Sequence, residues 1–240
     1  MTTAGIRLRA VLFDAAGTLI ELREPVGETY GRTAREFGVD LPAWRLDDAF
    51  ARILARAPAR VFPEALPEEI EACERSWWRD VVRSTFLAAD STTRFADFDA
   101  FFDRLYRVFS DSDVWRCRDG CHAALRALRT RGLLLGVVSN FDRRLPALLD
   151  ALDLGSCFDV VVLPSDAGAE KPDPRIFAFA LDRLRVGAAD AVYVGDSHTR
   201  DLAGARAAGM RAIDAASLAT LEDLPGRLTA GIPPHRSEPA

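Results

Sequence analysis

The sequence is poor in lysine. Lys171 is the single lysine among 31 lysine and arginine side chains, so arginine carries almost all of the positive charge. A position that keeps lysine in such a chain is a candidate for a role that needs a compact, flexible ammonium group rather than a planar guanidinium. Basic residues are also outnumbered by 36 acidic ones, and the net charge of −5 argues against a nucleic-acid-binding protein.

Long apolar runs and paired cysteines are missing as well. No segment has the roughly 20 consecutive apolar residues that a membrane span needs, and the N-terminus leads into a strand-like segment without a signal-peptide layout. The four cysteines form no CxxC pair, which favours ordinary reduced thiols over metal ligands. We therefore expect a cytoplasmic protein that does not bind membranes; its oligomeric state is left open.

Short apolar runs alternate with helical patterns in most of the chain. The runs predict strands at residues 8–13, 133–138, 160–163, 191–194 and 211–213. The helical patterns cover residues 119–131, 143–152, 174–184 and 200–208, the first with Asp119 as its N-cap. This alternation predicts an α/β fold, a doubly wound parallel sheet with helices on both faces.

Residues 21–109 break the alternation and read as helical. The predicted helices cover residues 25–37, 42–56, 67–87 and 95–109. Trp77, Trp78, Val81 and Val82 lie at spacings that predict the core of a helix bundle rather than a ligand site. We therefore expect a helical domain at residues 21–109 inserted into a core formed by residues 1–20 and 110–230, followed by a frayed tail at residues 231–240.

Polar residues with chemical potential follow the predicted strands. Asp14 ends the first run and is followed by Gly17-Thr18, and Ser139-Asn140 end the second run. Lys171 lies at the start of a predicted helical segment. Asp196 ends the fourth run, and Asp201 follows five residues later. Parallel strands deliver their carboxyl ends to one edge of the sheet, so these groups should converge on one crevice. A carboxylate there can act as a nucleophile, and a hydroxyl and an amide suit a bound oxyanion.

Converging carboxylates require a positive charge. Acidic groups this close repel one another unless a cation or Lys171 neutralises them. Asp14 and Asp196, with a backbone carbonyl, water and substrate oxygens, make a suitable oxygen shell for Mg²⁺. Lys171 would neutralise both the nucleophile and the substrate, which gives its retention a reason.

The four segments together resemble the four motifs of the haloacid dehalogenase-like hydrolases in order and spacing. They are DAAGTL from Asp14, VVSN ending at Asn140, KPDP from Lys171 and GDSHTRD ending at Asp201. The helical insert resembles the cap of subfamily IA. Four further segments resemble the HDHD3/REG-2-like branch of the family. They are PVGETY from Pro25, WWRDVV from Trp77, SNFDRRL from Ser139 and KPDPRIF from Lys171.

This resemblance implies a Mg²⁺-dependent phosphohydrolase acting on a small phosphorylated metabolite. Asp14 would attack phosphorus and form an aspartyl-phosphate, with Ser139, Asn140, Thr18 and the adjacent Gly17 around the phosphoryl group. Lys171 would orient Asp14 and the phosphate. Metal binding would fall to Asp14, the backbone carbonyl of Ala16 and Asp196, with Asp201 in support. The cap would close and exclude water.

The sequence departs from the family pattern at Ala16. Phosphatases of this class carry a second aspartate there, which protonates the leaving alcohol and later activates water, and such groups contribute about 10²- to 10⁴-fold to the rate. One explanation is a hydrolase whose leaving groups need no protonation, such as acyl phosphates, or one that borrows His198, Asp142 or Glu28 as the acid. Another is a catalytically weak or non-enzymatic phosphate-binding protein.

A third explanation is different chemistry. Phosphonoacetaldehyde hydrolases share a similar motif but need a cap lysine, and the one lysine of this chain lies in the third motif. L-2-haloacid dehalogenases also lack the second aspartate but work without metal, and the retained Gly195-Asp196 counts against them.

Overall fold

The computed structural model describes residues 8–229. The strands are β1 Ala10–Phe13, β2 Ile20–Leu22, β3 Trp115–Cys117, β4 Leu134–Val138, β5 Val160–Val162, β6 Ala191–Gly195 and β7 Arg211–Asp214. The helices are α1 Val26–Arg35, α2 Ala43–Leu54, α3 Ile70–Ala89, α4 Phe98–Ser110, α5 Cys121–Thr130, α6 Leu145–Ala151, α7 Pro164–Ala167, α8 Pro174–Leu184, α9 Ala203–Ala207 and α10 Leu224–Thr229. A π-helical turn, His198–Leu202, precedes α9.

Five strands form one parallel sheet in the order β5-β4-β1-β6-β7. The chain adds β4 and β5 on one side of β1 and then crosses to add β6 and β7 on the other side. The connections therefore diverge between β1 and β6, and a crevice opens beyond the carboxyl ends of strands at such a point.

Both faces of the sheet are covered. In β1, Val11 and Phe13 pack into one apolar cluster with α5, α6 and α10, whereas Ala10 and Leu12 pack into a second cluster with α8 and α9. All four of these side chains are at most 1% exposed. A strand buried on both faces must be apolar throughout, which explains its sequence and confirms the predicted doubly wound α/β fold.

The predicted core helices are present: α8 has the predicted bounds of residues 174–184, whereas α5, α6 and α9 are shorter than predicted. α5 has Gly120 at its N-cap position and no side-chain cap, so the prediction that Asp119 caps it is wrong. The carbonyl of Asp119 instead accepts a hydrogen bond from the Leu221 N–H, which ties the start of α5 to the C-terminal segment.

Helices α1–α4, which we call the cap, form a separate apolar cluster. Tyr30 and Phe86 stack at its centre with ring centroids 5.9 Å apart. The prediction of bundle core is confirmed for Val82, but Trp78 only borders the cluster and Trp77 lies outside it. Both tryptophans are half-buried and face a cavity described below.

An antiparallel ribbon that the sequence did not predict joins the cap to the sheet. β2, which leads into the cap, pairs with β3, which leads out of it. The two connections therefore run side by side. The exact domain boundaries stay a prediction, and the predicted tail at residues 231–240 lies outside the described residues. Within residues 8–229, no helix has both the length and the apolar character needed to cross a bilayer.

Candidate active site

Four polar side chains meet beyond the carboxyl ends of β1 and β6. The Lys171 ammonium donates to Asp14 Oδ1 at 2.7 Å, to Asp201 Oδ1 at 2.5 Å and to the Tyr193 hydroxyl at 2.9 Å. All four side chains are buried. The Tyr193 hydroxyl donates to the Val138 carbonyl at 2.8 Å. The structure thus brings the predicted lysine together with two of the predicted acids.

Tyr193 belongs to this network, although sequence reasoning missed it. It lies inside β6, in a run whose apolar neighbours gave no sign of a polar role. Burial, followed by the charges of Asp14 and Asp201, raises the pKa of Tyr193 well above its ordinary value. The hydroxyl therefore stays protonated and remains a donor.

Two glycines allow the carboxylates to come close to the backbone. Gly17 has φ +90°, and a Cβ there would lie 2.5 Å from Asp196 Oδ2. A Cβ on Gly195 would lie 2.5 Å from the Cβ of Asp201. A residue with a Cβ at position 17 would displace Asp196, and one at position 195 would displace Asp201. The glycines of Gly17-Thr18 and Gly195-Asp196 are therefore required on steric grounds.

The three acids form a cluster with excess negative charge. Asp14, Asp196 and Asp201 each place a carboxylate oxygen within 4.8 Å of the other two. Lys171 is the one ammonium among them, which leaves two negative charges uncompensated. Desolvation and the charges of Asp14 and Asp201 raise the pKa of Asp196 above its ordinary value. The cluster therefore favours a bound cation.

The donor set fits a hard divalent ion. Both oxygens of Asp201 are already engaged, Oδ1 by Lys171 and Tyr193 and Oδ2 by the Ser197 N–H at 2.9 Å. Asp14 and Asp196 keep carboxylate oxygens available. Within residues 8–229, no turn or loop N–H donates to the carbonyl of Ala16. Two carboxylates and a carbonyl are oxygen ligands of the kind that Mg²⁺ prefers.

The three side chains predicted to bind a phosphoryl group, those of Ser139, Asn140 and Thr18, differ in whether their polar atoms already have partners. Ser139 is buried at the cavity wall, and its hydroxyl donates to no other described residue. The Asn140 amide is fully used, because its Nδ2 donates to the Lys171 carbonyl at 2.9 Å and its Oδ1 accepts from the Lys171 N–H at 2.8 Å. Asn140 therefore fixes the backbone of Lys171. Thr18 is fully buried and directs its hydroxyl to Asp196 Oδ1 at 3.5 Å.

None of the three candidate replacement acids lines the cavity. Ala16 does line it, close to Asp14. His198 is exposed and lies 3.2 Å from Asp214. Glu28 is exposed on α1, and Asp142 is completely buried behind the cavity wall. The structure offers no support for any of the three as a proton donor.

The cavity above the acids has a volume of about 650 Å³. This lies within the range of roughly 300–1,000 Å³ that is usual for small-molecule sites. Its floor is formed by core residues that include Asp14, Ser139 and Lys171, and the cap forms its roof. The site is therefore enclosed between the sheet edge and the cap.

A buried polar cluster formed by Asp142, Arg144, Trp78 and Arg60 connects the cap to the core. Asp142 Oδ2 accepts from Trp78 Nε1 of the cap and from Arg144 Nη2, each at 2.6 Å. Arg60 of the cap places Nη1 3.7 Å from the same oxygen. Burial favours a higher pKa for Asp142, but the hydrogen bonds and charge of Arg144 and the charge of Arg60 outweigh it and lower the pKa.

Glu74 makes a second contact between cap and core. It is 1% exposed, and its Oε2 accepts from the Arg143 N–H at 2.9 Å, whereas Oε1 has no partner in the described part of the chain. Burial, with the charge of Asp142, raises the pKa of Glu74. No local sequence pattern indicates either contact, because the partners lie more than 60 positions apart.

Comparison with known proteins identifies the family. The sequence profile of the haloacid dehalogenase-like hydrolases matches residues 8–209. The chain belongs to that family. It is 41% identical over 207 residues to the bovine (Bos taurus) haloacid dehalogenase-like hydrolase domain-containing protein 3, covering 85% of this chain and 80% of that one. The predicted HDHD3/REG-2-like branch is thereby confirmed.

Solved structures of this hydrolase family share the fold. One is the crystal structure of a HAD phosphatase from Thermococcus onnurineus, 26% identical with a TM-score of 0.58, covering 86% of each chain. Another is a 2-haloacid dehalogenase from Pseudomonas syringae, 25% identical with a TM-score of 0.59, covering 93% of this chain and 99% of that one. Because phosphatases and dehalogenases are alike in fold here, the chemistry has to be argued from the site.

Proposed function

We propose that this hydrolase is a Mg²⁺-dependent phosphohydrolase that acts through an aspartyl-phosphate on a small phosphorylated metabolite. The observation that carries the proposal is the cluster of Asp14, Asp196 and Asp201 around one ammonium group at the floor of a cavity. Its uncompensated negative charge would repel a phosphate, so a divalent cation is needed before an anionic substrate can bind.

In this proposal Asp14 is the nucleophile. Lys171 occupies its Oδ1, which leaves Oδ2 to attack phosphorus from the cavity floor. The bond between phosphorus and the leaving oxygen breaks as the bond to Asp14 forms. A water molecule then attacks the phosphorus of the acyl phosphate, which frees phosphate and regenerates Asp14.

The other residues prepare these steps. Asn140 fixes the backbone of Lys171, and Lys171 in turn holds Asp14. The Ser139 hydroxyl is free to donate to a phosphoryl oxygen. Asp14, Asp196 and the Ala16 carbonyl would hold Mg²⁺, with Asp201 in support, and the ion would neutralise the charge of these carboxylates and of the phosphoryl group.

Ala16 supports a restriction on the substrate. A methyl group cannot transfer a proton, and none of His198, Asp142 and Glu28 lines the cavity. The proposed enzyme therefore acts on esters or anhydrides whose leaving groups depart without protonation, and it is slow with simple alkyl phosphates.

The experiment is phosphate release from a panel of phosphorylated compounds, with Mg²⁺ or with a chelator. We expect release that requires Mg²⁺, disappears in Asp14→Asn and survives in Asp182→Asn, a matched change at an exposed aspartate of α8. Halide release from 2-haloacids in the presence of chelator would instead identify a dehalogenase. Neither product across the panel would leave the non-enzymatic phosphate-binding alternative.

A further inference from the structure

The cavity wall that faces the acids is aromatic. Six half-buried rings contribute to it: Phe50, Trp77, Trp78, Tyr106, Phe109 and Phe141. Five of these come from the cap and one from the core. Aromatic walls stack well on flat apolar ligands and gain little from small polar ones. The part of the substrate that points away from the phosphoryl group therefore meets rings.

The two buried arginines of this wall share one carboxylate, Asp142. The Arg60 guanidinium lies over the Trp77 ring at 4.3 Å and 3.7 Å from Asp142, and the backbone N–H of Arg60 donates to Glu170 Oε2 at 2.9 Å. Arg144 is bound to Asp142 at 2.6 Å. The remaining arginine of the lining, Arg200, is exposed. Nε and Nη1 of Arg60 have no hydrogen-bond partner among the described residues, but Asp142 lies close enough to offset the charge of Arg60 as well as that of Arg144, so a second anionic group on the substrate gains little here.

Carboxylates of the cavity wall that could supply a proton are also engaged. Glu21 pairs with Arg116 at 2.7 Å, and Glu170 Oε2 accepts from the Arg60 backbone N–H. With Ala16 in place of an acid, the leaving oxygen has to depart with its electron pair as an anion. Acidic hydroxyls such as phenols, with a pKa of about 10, leave this way far more easily than alkyl alcohols.

We propose that the substrate is an aryl phosphate, an ester of phosphate with a phenolic hydroxyl on an apolar ring system. This inference rests on the proposed phosphohydrolase function. The Asp14–phosphorus bond forms, the phosphorus–aryl oxygen bond breaks, and the electron pair leaves on the phenolate, which then takes a proton from water. The ring stacks against the aromatic wall, and release of the phenolate needs no acid at position 16.

The test separates the ring from the leaving group. Phenyl phosphate has both features, benzyl phosphate has the ring with an alkyl leaving oxygen, acetyl phosphate has only the good leaving group, and ethyl phosphate has neither. With Mg²⁺ present, we expect kcat/KM for phenyl phosphate to exceed the value for each of the other three by at least about tenfold. O-phosphoserine tests the second anionic group and should be as poor as ethyl phosphate.

The outcomes distinguish failure of the aryl assignment from failure of the phosphohydrolase function. Benzyl or acetyl phosphate equal to phenyl phosphate, or O-phosphoserine as the preferred compound, would overturn the aryl assignment and leave the phosphohydrolase function standing. No phosphate release from any of the five compounds would overturn the function itself, and the aryl assignment with it.

A variant of the wall gives an independent check. Trp77→Leu should lower the ratio of kcat/KM for phenyl phosphate to that for acetyl phosphate by roughly three- to tenfold. Trp44→Leu, at a tryptophan of α2 that is 67% exposed and outside the cavity lining, should leave the ratio unchanged. The ratio within one preparation does not depend on the folded fraction. An unchanged ratio in Trp77→Leu contradicts the stacking role.

Discussion

Restoring a carboxyl group at position 16 tests the central chemical argument. Ala16 is half-buried and lines the cavity close to Asp14, so the longer side chain of Ala16→Asp can extend into open space. A positioned acid contributes about 10²- to 10⁴-fold, which corresponds to roughly 3–5 kcal/mol of activation free energy. The gain should appear with leaving groups that need a proton.

The assay compares kcat/KM for ethyl phosphate and phenyl phosphate, with Mg²⁺, in the parent and the variant. We expect ethyl phosphate to gain at least about 10²-fold and phenyl phosphate to change by no more than roughly threefold, because a phenolate leaves unaided.

The matched control is Ala57→Asp, which adds a carboxyl group to the cap side of the same cavity and should give no gain. If Ala16→Asp folds, binds Mg²⁺ and still hydrolyses ethyl phosphate no faster, the loss of the acid does not limit this enzyme and our account of Ala16 is wrong.

Three further changes probe the site and its support. Lys171→Met leaves the buried carboxylates of Asp14 and Asp201 without their ammonium partner, and it should lower the free energy of unfolding by about 3–5 kcal/mol in the presence of chelator. Added Mg²⁺ should then raise the melting temperature of the variant more than that of the parent. An equal rise in both proteins would contradict a cation site shared by Lys171 and Mg²⁺. Glu74→Gln keeps an acceptor for Arg143 but removes a buried charge near Asp142. Because folding raises the pKa of Glu74, its ionisation destabilises the fold as pH rises, so the variant should melt a few degrees above the parent at pH 8, with the gap closing towards pH 5; a pH-independent gap would refute this. Asn140→Ala removes both bonds to the Lys171 backbone and should reduce kcat by roughly tenfold with little change in KM, which steady-state kinetics would show.

The architecture was predictable because its signal is local. A parallel strand buried on both faces must be a continuous apolar run, and β1, β4 and β6 are such runs. Since parallel strands end at the same edge, the convergence of Asp14 and Asp196 followed from the strand assignment alone.

Features that depend on distant partners were not predictable. β2 and β3 are three residues each, too short for a periodic pattern, and each exists because the other lies beside it. The spacing of Trp77 showed that the residue belongs to an apolar face, but not that this face borders a cavity. The target of the Asn140 amide, the backbone of Lys171, lies 31 residues away.

The β2–β3 ribbon also limits how the molecule can open. Sliding one connection past the other would break the hydrogen bonds between the two strands, whereas bending the ribbon across its width leaves them intact. The ribbon therefore favours a hinge motion of the cap over a sliding motion. Opening of the cap therefore breaks the contacts of Asp142 with Trp78 and Arg60 and the hydrogen bond between Glu74 and Arg143.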